Sequence, residues 1–321
     1  MKILRYGADR RTLLLIGAWY ALMGYAWAAS PSGFWANVPL IAALCAGAFI
    51  GAVATHNAVH SPVFTARWMN DLWQVVLTLT YGHPVSSYVP GHNLSHHRHT
   101  ETPRDVMRTD KARFRWHLLN LFLFTPSISR AILGAEFDYA RYAVGRHPRW
   151  TRQLAIEAAV MVAVVAALLA VDWRRTLLYV VIPWQYAAWG IVTMNLLQHD
   201  GCDPQSPWNH SRNFVSPVLN WLVFNNGYHG IHHLKPTLHW SLAREAHHRV
   251  LAPHMDRRLD EPSMIAYVLR TFVLPGGRRR FDGAERPVRD PGPDEPWITA
   301  DGPLPATAVT SVRAAHALHA A

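Results

Sequence analysis

Four runs of this chain, 13–29, 34–54, 154–171 and 176–197, are almost free of charge. Each is close to the length that crosses the apolar core of a bilayer, roughly 20 residues at 1.5 Å of helical rise. A soluble globule has no use for such runs. A lipid-embedded chain requires them, because backbone N–H and C=O groups in hydrocarbon must pair within their own helix. The expectation is therefore an all-α integral membrane protein with about four transmembrane helices. The first run, preceded by basic residues and ending in Ala26-Trp27-Ala28, also resembles a cleavable signal peptide. The orientation of every later segment is the same in either case.

The formal charge of +10 would suit nucleic acid if the basic residues were free to form one surface, but their placement follows the spans. Lys2, Arg5, Arg10 and Arg11 precede the first run, the connection Ser30–Gly33 carries no charge, and 61–152 is dense in Arg and Lys. The positive-inside rule puts the N-terminus, the 61–152 region and, after four spans, the C-terminus in the cytoplasm. Arg174 and Arg175 lie on the other side beside Asp172, and the larger loop outweighs them. No nucleic-acid partner is expected; anionic membrane lipid accounts for the basicity.

One membrane domain is expected over 1–275, with a helical cytoplasmic cap from 55–150 and 198–275. The tight connection at Asp172 predicts a helical hairpin from the last two spans. FRWHLLNLFLF at 114–124, apolar but basic at its start, predicts an interfacial helix rather than a fifth span. From 276 to 321 the chain is rich in Pro, Gly, Arg and Ala, a composition that predicts a disordered tail.

Twenty histidines against two cysteines direct any metal chemistry to imidazole. The histidines cluster: His56 and His60 in HNAVH, His92, His96 and His97 in HNLSHH, His199 closing NLLQH after Asn195, and His229, His232 and His233 in GYHGIHH. Spacings of three and four put side chains on one helix face, about 5–6 Å apart at Cβ, from where two imidazoles converge on one cation. An adjacent His-His pair points a further ligand elsewhere, which is useful where two metals share a site. The predicted topology brings all these clusters to the cytoplasmic edge. A lone HxxxH is most often a pair of ordinary surface or core histidines; four clusters at one membrane depth are not explained that way. Imidazole suits Zn, Fe, Cu and Ni alike, and no HExxH supplies a glutamate base. Nine ligands are too many for one ion, so two are expected. A metal transporter would instead need histidines or carboxylates facing each other inside the spans, which hold only Glu157.

These boxes, their order and the intervening spans resemble the membrane fatty acid desaturase superfamily over roughly residues 40–250. Asn195-x-x-x-His199 is similar to an extra ligand segment of acyl-CoA desaturases, in which the histidine binds iron and the asparagine reaches it through water. HNLSHHRHTETPRD is similar to alkane hydroxylases, and GYHGIHHLKPTLHWS resembles bacterial desaturase-like proteins, some of which decarboxylate fatty acids to 1-alkenes. The resemblance implies two Fe ions held by His56, His60, His92, His96, His97, His199, His229, His232 and His233, O2 as cosubstrate, and a fatty acid or fatty acyl substrate. It implies an oxidoreductase, foremost a desaturase, with oxidative decarboxylation and hydroxylation as alternatives, in a bacterial inner membrane with a cytoplasmic active site. The chain has no haem-attachment signature, Cys-rich segment or Rossmann glycines, so its electrons are expected from a ferredoxin- or rubredoxin-type protein.

Metal-ligating imidazoles need acceptors on their second nitrogen. Asp200, next to His199, and Glu101 and Asp105, after box two, are candidates, each also open to pairing with Arg98, Arg104 or Arg108. His99 fits either a supporting role or a surface position.

Overall fold

The computed structural model describes all residues except Met1, Gly276, Pro287, Arg289 and 308–321. Among these the chain is mostly helical. The main helices are α1 (Asp9–Ala29), α2 (Phe34–His60), α3 (Arg67–Tyr81), α4 (85–99), α5 (His117–Ala143), α6 (Pro148–Thr176), α7 (Ile182–His199), α8 (Pro217–Leu222) and α9 (His229–Leu234). The chain forms two compact units, Met1–Tyr88 with Ala143–Ile191, and Val89–Tyr142 with Val192–Ala321.

In the first unit, small residues let helices approach, as lipid-embedded packing requires. Leu44, Ala48, Gly51, Ala52 and Thr55 are buried along α2. A Cβ on Gly47 would lie 2.3 Å from the Trp19 ring, and one on Gly51 2.4 Å from Thr80. Trp19 Nε1 donates to Leu44 O at 3.0 Å, which ties α1 to α2.

The predicted hairpin is present. Glu157 on α6 accepts from Ser86 N at 2.8 Å, while Trp184 on α7 donates through Nε1 to Leu79 O at 3.0 Å. A straight helix would separate residues 157 and 184 by about 40 Å, so the chain reverses between them. The reversal is at Asp172, whose backbone is extended (φ −159°, ψ 100°) inside otherwise helical chain. Its Oδ1 accepts from the N–H groups of Arg174 and Arg175, each at 3.0 Å, the role of an N-cap for the returning helix.

Four stretches among the described residues are long and apolar enough to cross a membrane: α1, α2, α5, and Pro148–His199, which contains the hairpin. Helix α5 is longer than the interfacial element expected at 114–124. Arg130, Glu136, Asp138 and Arg141 end its apolar run but not its helix, because none of them interrupts backbone pairing. Trp35, Trp68 and Trp173 stay exposed at helix ends, where amphipathic rings suit a bilayer interface.

Gly82 stops α3 in the left-handed region (φ +79°), and a Cβ there would meet the Trp184 ring at 2.3 Å. Gly82→Ala is expected to destabilise the first unit by about 1–3 kcal/mol, the sum of backbone strain and overpacking. Thermal unfolding in detergent checks it.

In the second unit the carboxy-terminal segment departs from the predicted disorder. Arg108, fully buried, donates to Pro291 O at 2.7 Å, Gly292 O at 2.9 Å and Asp294 Oδ1 at 3.1 Å. Lys111 Nζ pairs with Asp294 at 2.8 Å, Glu295 N donates to Pro103 O, and Trp297 is 4% exposed. The segment is held by ion pairs and carbonyls rather than by an apolar core of its own, which is why its composition does not announce it. The remainder of the expected tail, 308–321, lies outside the described residues.

Candidate metal centre

Box two begins where proline removes a backbone donor. Pro90 has no N–H for Ser86 O, and Trp150 Nε1 donates to that carbonyl instead, at 3.2 Å. From Pro90 to His96 the backbone widens into a π-helix before returning to α geometry at His97. This widening replaces the regular helix face predicted for HNLSHH. It brings His92 Nε2 within 3.1 Å of His97 Nε2, while His96 belongs to a different group. Such bulges are frequent at functional sites.

Two histidine groups form within the second unit. His96, His199, His229 and His233, from α4, α7 and α9, each offer one nitrogen within 4.8 Å of the others, and all four are buried. His199 Nε2 lies 2.8 Å from His229 Nε2 and 3.2 Å from His233 Nε2; His229 and His233 are 3.1 Å apart. His92, His97 and His232 form the second group, with His232 Nε2 3.1 Å from His97 Nε2. In the first unit His56 and His60 lie at the end of α2, one turn apart, with ring centroids separated by 5.2 Å.

Hydrogen bonding orients the rings. His96 Nδ1 is 2.9 Å from Asp105 Oδ2, and His199 Nδ1 is 3.1 Å from the carbonyl of His210. An ionised carboxylate and a carbonyl can only accept, so each Nδ1 carries the proton and each Nε2 turns a lone pair into the group. Burial opposes the charge on Asp105. His96 and the N–H groups of Glu101 and Met107 outweigh it and hold the carboxyl below its usual range. Burial, followed by the neighbouring His97, His229, His199 and His96, pushes His233 well below the ordinary imidazole value, so it is neutral at pH 7.

The donor set fits a pair of transition-metal cations. Nitrogens about 3 Å apart have the spacing of ligands bonded to one first-row cation at about 2.1 Å. Among the described residues His96 Nε2 is buried with no hydrogen-bond partner, which costs about 1–3 kcal/mol unless another group takes its lone pair. Neutral imidazoles converging in this way satisfy a cation and little else.

The other candidate supporting residues have partners of their own. Asn195 Nδ2 donates to Met107 O at 2.7 Å, and His99 Nδ1 is 2.7 Å from Thr307 Oγ1. Asp200 is taken up by Arg278, at 2.8 and 2.9 Å, and by Arg286 at 3.0 Å, rather than by an imidazole. Glu101 accepts from the N–H and hydroxyl of Thr109.

Three residues that position the site were not singled out from sequence. His210 supports His199 through its carbonyl; its own ring lies 5.6 Å from that of His233, and burial lowers its pKa to about 4. Arg212 Nη1 donates to Leu197 O at 2.9 Å and Asp200 O at 3.1 Å, a cation at the carboxyl end of the helix that carries His199. Asn213 Oδ1 accepts from Gly230 N at 2.8 Å and anchors the start of α9. None has a companion at ligand spacing, which is the signal that sequence provides.

Asp105→Asn keeps the shape of the acceptor but removes its charge, and is expected to weaken metal binding about 10–100-fold. Metal titration of the purified variant against a competing chelator checks it.

No curated protein matches the chain. The family model of fatty acid desaturases matches residues 33–261, a span that contains every histidine of both groups together with His56 and His60. The match covers most of the chain, and the chain therefore belongs to the fatty acid desaturase family, whose members are oxidoreductases of fatty acyl chains.

Proposed function

We propose that the protein is an O2-dependent di-iron desaturase of fatty acyl chains, with electrons supplied by a separate ferredoxin- or rubredoxin-type protein. The observation that carries this reading is the pair of histidine groups, one of four buried imidazoles and one of three, built from the boxes that the family model spans. His96, His199, His229 and His233 would hold one iron. His92, His97 and His232 would hold the other; His56 and His60 are counted among the ligands by the resemblance of their box alone. Bound there, the two irons would supply activation of O2 and removal of hydrogen from an unactivated C–H bond.

The residues around them do the rest. Asp105 and the His210 carbonyl keep Nε2 of His96 and His199 deprotonated and aimed inward. Burial of the four-histidine group keeps water from a reactive oxidant. The distribution of basic residues assigns the active site and both termini to the cytoplasmic side, with α5 lying at the membrane surface rather than crossing it; the bacterial inner membrane follows from the resemblance to bacterial desaturase-like proteins.

A second reading, oxidative decarboxylation of a free fatty acid to a 1-alkene, is favoured by the stretch GYHGIHHLKPTLHWS; hydroxylation is the third. One experiment separates them. The protein is expressed with iron and a ferredoxin system, fed saturated acids of several lengths, and both headspace and total lipid are analysed by gas chromatography–mass spectrometry. An unsaturated acid of unchanged carbon number is the expected product. A volatile 1-alkene one carbon shorter would replace desaturation by decarboxylation, and a hydroxy acid would replace it by hydroxylation.

A further inference from the structure

Asp105 meets His96 because the chain folds back after α4, and the carboxy-terminal segment binds the returning loop on both sides of it. Within the loop the Asp105 carboxylate accepts from the N–H groups of Glu101 at 2.9 Å and Met107 at 2.8 Å. These bonds give residues 101–107 their shape, but they do not hold that shape against α4. Ser95 Oγ does so in part, donating to Arg104 O at 2.8 Å and accepting from Val106 N at 3.0 Å. One hydroxyl is a narrow anchor for a buried charge that must meet a ring nitrogen at 2.9 Å.

The carboxy-terminal segment supplies further anchors. On the amino side of Asp105, Glu295 N donates to Pro103 O at 2.9 Å, and the Glu295 carboxylate pairs with Arg104 at 3.3 Å. On the carboxyl side, the buried Arg108 guanidinium donates to three consecutive carbonyls, those of Pro291, Gly292 and Pro293, and to Asp294. A planar fork shared in this way fixes residue 108 against the backbone of 291–294. The segment then returns to the end of α4, where Thr307 N donates to Arg98 O at 2.8 Å and Arg98 Nη1 donates to Leu304 O at 3.3 Å. Between these attachments lie the buried Trp297 and a short antiparallel pairing of Ile298–Thr299 with Gly302–Pro303. Helix end and loop are therefore tied to one structured strap.

We propose that residues 291–307 position Asp105 against His96 and so set the affinity of the four-histidine group for its metal, with Arg108 as the positioning residue that joins strap to loop. The proposal rests on the metal-centre assignment but not on which reaction the metals perform.

Ferrous iron, titrated anaerobically into the full-length metal-free protein in detergent against a competing chelator, tests it. Arg108→Met is expected to weaken binding about tenfold, the lower end of what loss of an outer partner costs a metal site. Arg108→Lys, which keeps the charge but loses the fork, should fall between this variant and the parent. In an Asp105→Asn background Arg108→Met should cost almost nothing more, because residues that act through one another are not additive. Asp294→Ala repeats the test from the strap side. Asp294 is partly exposed and is shared by Arg108 and Lys111, so its loss loosens the attachment without altering the loop, even if Arg108→Met does not fold. A several-fold loss that disappears in the Asp105→Asn background is expected there too. Binding as tight as the parent's in both Arg108→Met and Asp294→Ala overturns the proposal. So do losses that add fully to that of Asp105→Asn, which would make the strap a support of the fold and not of Asp105. Absence of iron binding by the parent itself would overturn the metal centre, and the proposal with it.

Discussion

His96→Ala is expected to abolish turnover and to lower bound iron to about half of the parent's or less. His96 is 0% exposed, its Nδ1 is held by Asp105, and its Nε2 points at the nitrogens of His199, His229 and His233 with no hydrogen-bond partner of its own among the described residues. Truncation leaves one cation site short of a ligand, and leaves Asp105 charged and buried without the imidazole that offsets its desolvation. Iron content per chain, read beside product formation, separates this from general unfolding. His248→Ala, an exposed histidine outside both groups, should retain its iron. Full activity in His96→Ala would contradict the ligand assignment.

The second large effect is expected away from the histidines. Asp200→Ala removes the one carboxylate shared by Arg278 and Arg286, and should cost about 3–5 kcal/mol, the usual consequence of stranding buried charge. Asp200 and Arg278 are both nearly inaccessible to solvent, so water cannot compensate. Burial opposes ionisation of Asp200, but Arg278 and Arg286 more than offset it and hold the carboxyl below its ordinary range. Thermal unfolding of the metal-loaded protein reads the loss. Asp200→Leu combined with Arg278→Met, which removes both charges at similar volume, should recover part of it. An unchanged unfolding temperature in Asp200→Ala would show that the pair contributes nothing.

Asp200 and Asp105 illustrate how much of the site was legible. Both are acids close in sequence to metal-ligating histidines, and both were candidates to orient an imidazole. Asp105 is beside His96, because the turn after α4 brings residue 105 back to residue 96. Asp200 immediately follows His199 yet pairs with Arg278 and Arg286, which arrive from a segment whose composition predicted disorder. Sequence proximity ranks such candidates; it does not say which long-range partner reaches them first. Helix α5 was misjudged for a related reason, since hydropathy reads the lipid-compatible part of a helix and not where its hydrogen bonds stop.

The amino-acid sequence by itself determined the helical membrane architecture, the hairpin at Asp172 and the set of histidines, because hydropathy runs and residue spacing act locally along a helix. Only the tertiary structure decided which histidines share a group. The π-helix that follows Pro90 turns His96 toward His199, His229 and His233 and leaves His92 with His97 and His232. It likewise decided that the carboxy-terminal segment is bound, because buried ion pairs such as those of Arg108 and Arg278 join residues far apart in the chain and leave no periodic trace.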